Sequence, residues 1–248
     1  MTQAEDLIDR AWDAKTDKTQ LKLARQAIAI DPDMLDGYAI IARSLGDATE
    51  RLAVLRDGAA RGKALWAAEM KAPSRHHFWL DIDTRPFMRV LHFLALTLWE
   101  VGARDEAIKE AKTLLRLNPN DNQGIRELLH IWYPATGDWD ALTKLLRRYR
   151  SDWSVSHLYT SWLLGFRNGN AADAQLAEAL EANPHVPALL PDADASVPDD
   201  DDDLAMPGYV LAGSGAEAAG YADFSRSVWK SVPGAIEALI TRAKMVSV

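Results

Sequence analysis

Residues Leu91 to Pro119, LHFLALTLWEVGARDEAIKEAKTLLRLNP, constrain the fold of this chain more than any other stretch. Leu91, Leu94, Ala95 and Leu98 recur at the 3–4 spacing that puts apolar side chains on one face of a helix. Gly102 breaks the run, and Ala107, Ile108, Ala111, Leu114 and Leu115 resume it on a second helix. Alanines at 95, 107 and 111 suit a contact between two closely approaching helices, where larger side chains would hold the axes apart. Asn118-Pro119 ends the second helix, because proline has no N–H to donate and disfavours helix in the residue before it. The stretch predicts an antiparallel helical hairpin.

The same pattern repeats along the chain. Ala4–Ala14 and Thr19–Ile30 form a pair that stops at Asp31-Pro32, with Ala24, Ala27 and Ile30 on its packing face. Leu35–Leu45 and Ala48–Arg61 form a second, striped by Tyr38, Ile41, Ala42 and Leu45 and then by Leu52, Leu55 and Ala59. Asp121–Trp132 with Trp139–Tyr149 is a fourth pair. Ser154–Phe166 with Ala171–Ala182, ending at Asn183-Pro184, is a fifth. Pro32 and Pro119 lie 87 residues apart, two repeats of ~34 residues plus an insertion. The insertion is expected at 62–85, where periodicity fails. This period resembles the tetratricopeptide repeat. It predicts an all-α fold: a right-handed superhelical array of about five helix pairs over residues 1–184. An acidic, proline-rich linker over 185–207 and a C-terminal helical cap over 208–248 follow. In the cap, Ala216–Lys230 and Pro233–Lys244 read as helices, Pro233 as a first helical residue. Tyr221, Phe224, Val228 and Trp229 are expected to dock the first of them.

Composition narrows the function. Apolar residues make up 48%, which is incompatible with general disorder. The start, with Glu5, Asp6 and Asp9, lacks the basic and apolar regions of a signal peptide. The most apolar run, Val90 to Trp99, is interrupted by His92 and falls short of the ~20 residues of a membrane helix. A cytoplasmic protein without a membrane segment is expected. With no cysteine there is no disulfide, thiolate nucleophile or cysteine metal site. The net charge of −8 divides into −2 over residues 1–84, +3 over 85–150 and −9 over 151–248. That middle is too mildly basic for a protein whose main partner is nucleic acid.

Some blocks resemble a known family. Thr84-Arg85-Pro86-Phe87-Met88-Arg89 and Leu117-Asn118-Pro119-Asn120-Asp121-Asn122-Gln123-Gly124-Ile125-Arg126 look like the suppression-of-tumorigenicity 7 family and its bacterial relatives. Asn183-Pro184-His185-Val186-Pro187 does too, as does the tail pattern Glu217-Ala218, Tyr221-Ala222, Trp229, Gly234-Ala235 and Leu239. The resemblance covers roughly 80–243 and implies a helical-repeat fold with no established catalytic residues and no cofactor. Animal members of the family are similar to membrane-anchored proteins, and this chain shows no such segment.

Motifs for chemistry are mostly absent. There is no GxSxG, no HExxH and no GxxxxGK[ST]. Gly213-Ser214-Gly215 lacks the third glycine of a dinucleotide turn. His76, His77, Asp81 and Asp83 are of types that ligate divalent ions, but they also read as an exposed polar loop. His92, His130 and His157 fall at similar places on successive first helices, with no nameable nucleophile or orienting partner beside them. Trp99, Trp132, Trp162 and Trp229 sit in apolar stripes as core residues. Trp66 and Trp79 flank the insertion and are expected to pin it.

The first helices of each pair are expected to line a concave groove. Positions beside the packing stripe would then face it: Arg89, His92, Leu96 and Trp99 from the third pair, Asn122, Gln123, Arg126 and His130 from the fourth. Guanidinium forks, amides and imidazoles suit carboxylates and peptide backbone. Arg89 and Arg126 alternatively pair with Glu127, Asp121 or Glu100 and hold the repeats in register. The expectation is a non-enzymatic scaffold for an acidic protein or peptide ligand, with no cofactor and no metal. The alternative is a metal-dependent or histidine-based hydrolase with its site near 76–92. Asp199–Asp203 would compete with an acidic ligand if it reached the groove, or serve as a solvated spacer. Partner identity and oligomeric state are not encoded in any motif.

Overall fold

The computed structural model describes residues 1–72, 78–198 and 210–246. Among these residues the chain is all-α, with thirteen α-helices and no strand. It divides into two units, Met1–Arg126 and Glu127–Val248.

In the first unit, α1 (Gln3–Trp12), α2 (Asp17–Ile30), α3 (Leu35–Arg43), α4 (Ala48–Leu65), α5 (Arg85–Glu100) and α6 (Arg104–Leu117) follow one another. The starts of α1, α2 and α4 are set by side chains that take up free backbone N–H groups. Thr2 and Glu5 form a reciprocal capping box on α1, and the Asp47 carboxylate accepts from the Glu50 N–H at 2.8 Å on α4. α2 stops at Asp31 and α6 at Asn118, each one residue before a proline. Gly102, at φ +83°, turns α5 into α6. Each helix packs on its successor, and α3 also packs on α1 and on α5. Leu7, Ile8, Ala11, Leu23, Ala24, Ala27, Ile40 and Ile41 make one continuous buried cluster from the first two pairs.

The expected insertion begins later than periodicity suggests, because α4 runs on to Leu65. Its Gly58 and Gly62 let two aromatic rings lie against the helix backbone. A Cβ at 58 would meet Tyr38 Cγ at 2.8 Å, and one at 62 would meet Phe87 Cε2 at 2.8 Å. Beyond α4, Phe78 is fully buried, edge-on to Trp66 and tilted against Phe87, each at 6.4 Å. Thr84, also fully buried, donates its hydroxyl to the Phe78 carbonyl. Trp79 lies beneath the Arg85 guanidinium at 5.3 Å. His76 and His77 lie outside the described residues, as does Asp199–Asp203.

α7 (Ile125–Ala135) starts four residues later than its apolar pattern predicts. Asp121 sits at φ +55° and Gly124 at φ +71°, so neither can continue a right-handed helix.

The second unit holds the rest of α7 and α8 (Trp139–Arg148), α9 (Val155–Arg167), α10 (Asp173–Ala182), α11 (Val186–Leu189), α12 (Gly215–Lys230) and α13 (Ala235–Val246). Trp132, Trp162 and Trp229 are fully buried, and losing such a side chain costs roughly 3–5 kcal/mol. Trp162 stacks on Trp229 at 6.0 Å and on Phe166 at 5.6 Å. The Trp229 Nε1–H donates to Tyr221 Oη at 2.9 Å, and burial pushes the Tyr221 hydroxyl up to about 12.

Three expectations change here. Residues 186–189 are helical and Val186, Pro187, Leu189 and Leu190 are buried, so this part of the supposed linker is packed. Phe224 is exposed and Ser225 takes the inward place, since 221, 225, 228 and 229 share one face of α12. Pro233 lies in the turn before α13, because Gly234 takes φ +75° and the helix starts at Ala235. Asn183 ties the tail down from a fully buried position. Its amide donates to the Ser214 carbonyl at 2.9 Å and to Glu217 Oε2 at 3.0 Å, and its oxygen accepts from the His185 N–H at 3.0 Å.

Candidate binding face

α5 carries the residues expected in the groove, and α3 lies against it. Arg89 Nε donates to Asp36 Oδ1 at 2.8 Å and its Nη2 to Oδ2 at 2.7 Å, a bidentate pair from α5 to α3. The Arg89 guanidinium also stands 5.9 Å over the Trp12 ring. One turn along α5, His92 is half-buried. Burial holds its imidazole below the ordinary histidine range, and the Asp121 carboxylate opposes that shift in part. It is therefore neutral at pH 7.

The other expected groove residues are spread over different tasks. Gln123 donates its amide to the Met88 carbonyl at 3.1 Å, joining the start of α7 to α5. Asn122 is exposed and makes no side-chain hydrogen bond among the described residues. Arg126 Nε donates to Asp121 Oδ2 at 3.0 Å, and that oxygen also accepts the Arg126 backbone N–H at 2.7 Å. Asp121 Oδ1 accepts from the Ile125 N–H at 2.8 Å. Asp121 is thus the N-terminal cap of α7, and Arg126 neutralises it. Trp99 is partly exposed rather than core, and the Arg104 guanidinium covers its ring at 3.8 Å. His130 is fully buried, its Nδ1 3.0 Å from Ser156 Oγ and its ring 5.6 Å from that of His157. It lies on the inward stripe of α7, with Leu129, Ile131 and Trp132 buried beside it, and presents nothing to a surface.

Two residues that periodicity did not single out stand on the same face of the first unit. Arg43, two turns along α3 from Asp36, is exposed and lies 5.6 Å over Trp12. It forms no ion pair among the described residues, whereas Arg51 pairs with Glu100 and Arg89 with Asp36. Beside it opens a cleft of about 150 Å³ lined by Ala42, Phe93, Leu96 and Thr97, with Arg43, Arg51 and Glu100 on its rim. A cation of this kind signals a site only through its geometry, since Arg43 reads in sequence as an ordinary solvated side chain.

Among the described residues no group of three or more His, Cys, Asp or Glu side chains is placed to hold a metal ion. No described helix is long and apolar enough to cross a membrane.

No protein-family model matches the chain. It is similar to the suppressor of tumorigenicity 7 protein-like proteins of Rattus norvegicus and Mus musculus, each 25% identical over 266 residues, and to that of Homo sapiens at 24%. These alignments take in 95% of this chain but 46% of the rodent proteins and 44% of the human one, so the chain spans less than half the length of these relatives. Over most of its length the chain is a distant relative of the suppressor of tumorigenicity 7-like proteins.

Proposed function

We propose that the protein is a non-enzymatic, cytoplasmic scaffold of tetratricopeptide-like helix pairs. It binds an extended segment of a partner protein across the α3–α5 face of its first unit. One observation carries this reading: an apolar cleft lies open on that face between a matched ion pair and an unmatched guanidinium. Peptide ligands are recognised where a few fixed polar groups flank apolar contacts on a rigid surface. The packing of α1, α3 and α5 along one side supports the repeat arrangement, since each first helix meets the next.

The experiment is a binding scan of the full chain against arrayed synthetic peptides, with Leu96→Glu as the control. Leu96 is 36% exposed at the cleft, so the added charge should disturb binding more than folding. Peptides that bind wild type and fail to bind Leu96→Glu are the expected result. No peptide binding, or binding unchanged by Leu96→Glu, would refute it.

A further inference from the structure

Among the described residues Arg43 is a cation on this face with no ion-pair partner. The bidentate partner of Arg89 is Asp36, and Arg51 has Glu100. Arg43 instead holds its guanidinium 5.6 Å over the Trp12 ring, and its side-chain N–H groups make no hydrogen bond among the described residues. Thr97, on the cleft wall, has a hydroxyl with no hydrogen-bond partner among the described residues. A guanidinium edge beside a hydroxyl is a two-point donor to a carboxylate.

The apolar surroundings say where that carboxylate sits in its own chain. Arg43 lines the cleft together with Ala42, Phe93 and Leu96, and its guanidinium stands 5.6 Å over the partly exposed Trp12 ring. The cleft, at about 150 Å³, has room for one side chain rather than a drug-sized ligand. In an extended segment, side chains two residues apart point the same way, roughly 7 Å from each other.

We infer that this cleft is a subsite for an internal Asp or Glu of an extended partner segment, with an apolar side chain two residues away filling the cleft. The carboxylate bridges Arg43 and Thr97. This inference rests on the peptide-binding reading of the same face and names its ligand class.

The test uses end-blocked, fluorescein-labelled heptapeptides of the form X-Leu-X-Glu-X-Leu-X, their Gln counterparts, and a free-ended Gln peptide closing on Leu. Anisotropy is measured with the full chain, with Arg43→Gln and with Thr97→Val. The Glu peptide should bind about tenfold tighter than its Gln counterpart. Arg43→Gln should erase that difference, and Thr97→Val should reduce it. Because Arg43 is exposed and makes no ion pair among the described residues, the melting temperature of Arg43→Gln should stay close to wild type, which separates lost recognition from lost folding.

Peptides that bind, and depend on Leu96, but show no preference for Glu over Gln would overturn this inference while leaving the scaffold reading standing. If no peptide binds, both fall. Tighter binding of the free-ended Gln peptide would give the subsite to a C-terminal carboxylate and overturn the internal motif. A dimer in sedimentation that Arg43→Gln dissolves would give it to a second copy of this chain and overturn it equally.

Discussion

Asp121 holds Arg126 twice through one oxygen, accepting its backbone N–H at 2.7 Å and its guanidinium Nε at 3.0 Å. The Asp121 side chain is 1% exposed, so its charge depends on those donors and on the Ile125 N–H. Arg126→Glu would set a second carboxylate beside it, and we expect a loss of about 2–4 kcal/mol. Arg126→Gln should cost less, because the backbone donors remain. Urea denaturation of both variants measures this. Wild-type stability in Arg126→Glu would remove the pair from any account of how α7 begins.

Arg89 and Asp36 join α5 to α3, and a third of the Arg89 side chain remains in water. A double-mutant cycle with Arg89→Gln and Asp36→Asn should give a coupling of about 1 kcal/mol. Peptide affinity separates the two roles of Arg89. A purely structural arginine loses its influence on binding once Asp36→Asn is present. A persisting effect of Arg89→Gln in that background would make it a ligand contact.

Asn183 makes three side-chain hydrogen bonds in a fully buried position, two of them to the segment that starts α12. Asn183→Ala should cost about 2–4 kcal/mol, because each bond contributes about 1 kcal/mol and the partners stay buried. Hydrogen exchange should speed up most in α12. Uniform acceleration across the second unit would instead mean that Asn183 stabilises the unit as a whole.

His92 gives the protein a dependence on pH. Its folded pKa lies below the ordinary 6.5, through burial first, so the unfolded chain binds the proton more readily. Stability from this group is complete above about pH 6.5 and is lost as pH falls toward the folded value, by at most ~1.4 kcal/mol per pH unit. His92→Gln should flatten that part of the stability curve. An unchanged slope between pH 6.5 and 5 would assign the dependence to other groups.

Much of this fold is legible in the chain because helices announce themselves through period and punctuation. The stripes at Leu91, Leu94 and Leu98 and the prolines after Asp31, Asn118 and Asn183 fall where helices run and stop. The start of α7 was not legible, since Asp121-Asn122-Gln123-Gly124 carries no signal for positive φ at an aspartate. The expected face divides along the same line. The sequence points to Arg89 and Arg126 as cations, and it weighs Asp121 as a partner for Arg126. It cannot foresee Asp36, 53 positions from Arg89. Arg43 and Trp12 carry no signal in the sequence because their significance is relational: among the described residues Arg43 lacks the ion-pair partner that Arg51 and Arg89 have.

Gly58 and Gly62 fix the allowed drift of two other positions. Tyr38 and Phe87 lie so close to α4 that a methyl group on either glycine would strike a ring. Gly62 and Phe87 therefore change as a unit over evolutionary time. A side chain can appear at 62 only in a lineage where 87 has already lost ring volume, whereas at 58 the Tyr38 Cβ itself stands 2.8 Å away, so losing the ring there does not open the position. Among relatives aligned to this chain, 62 and 87 should covary as Gly-with-large or Ala-with-small, while 58 should stay glycine wherever 38 carries a side chain.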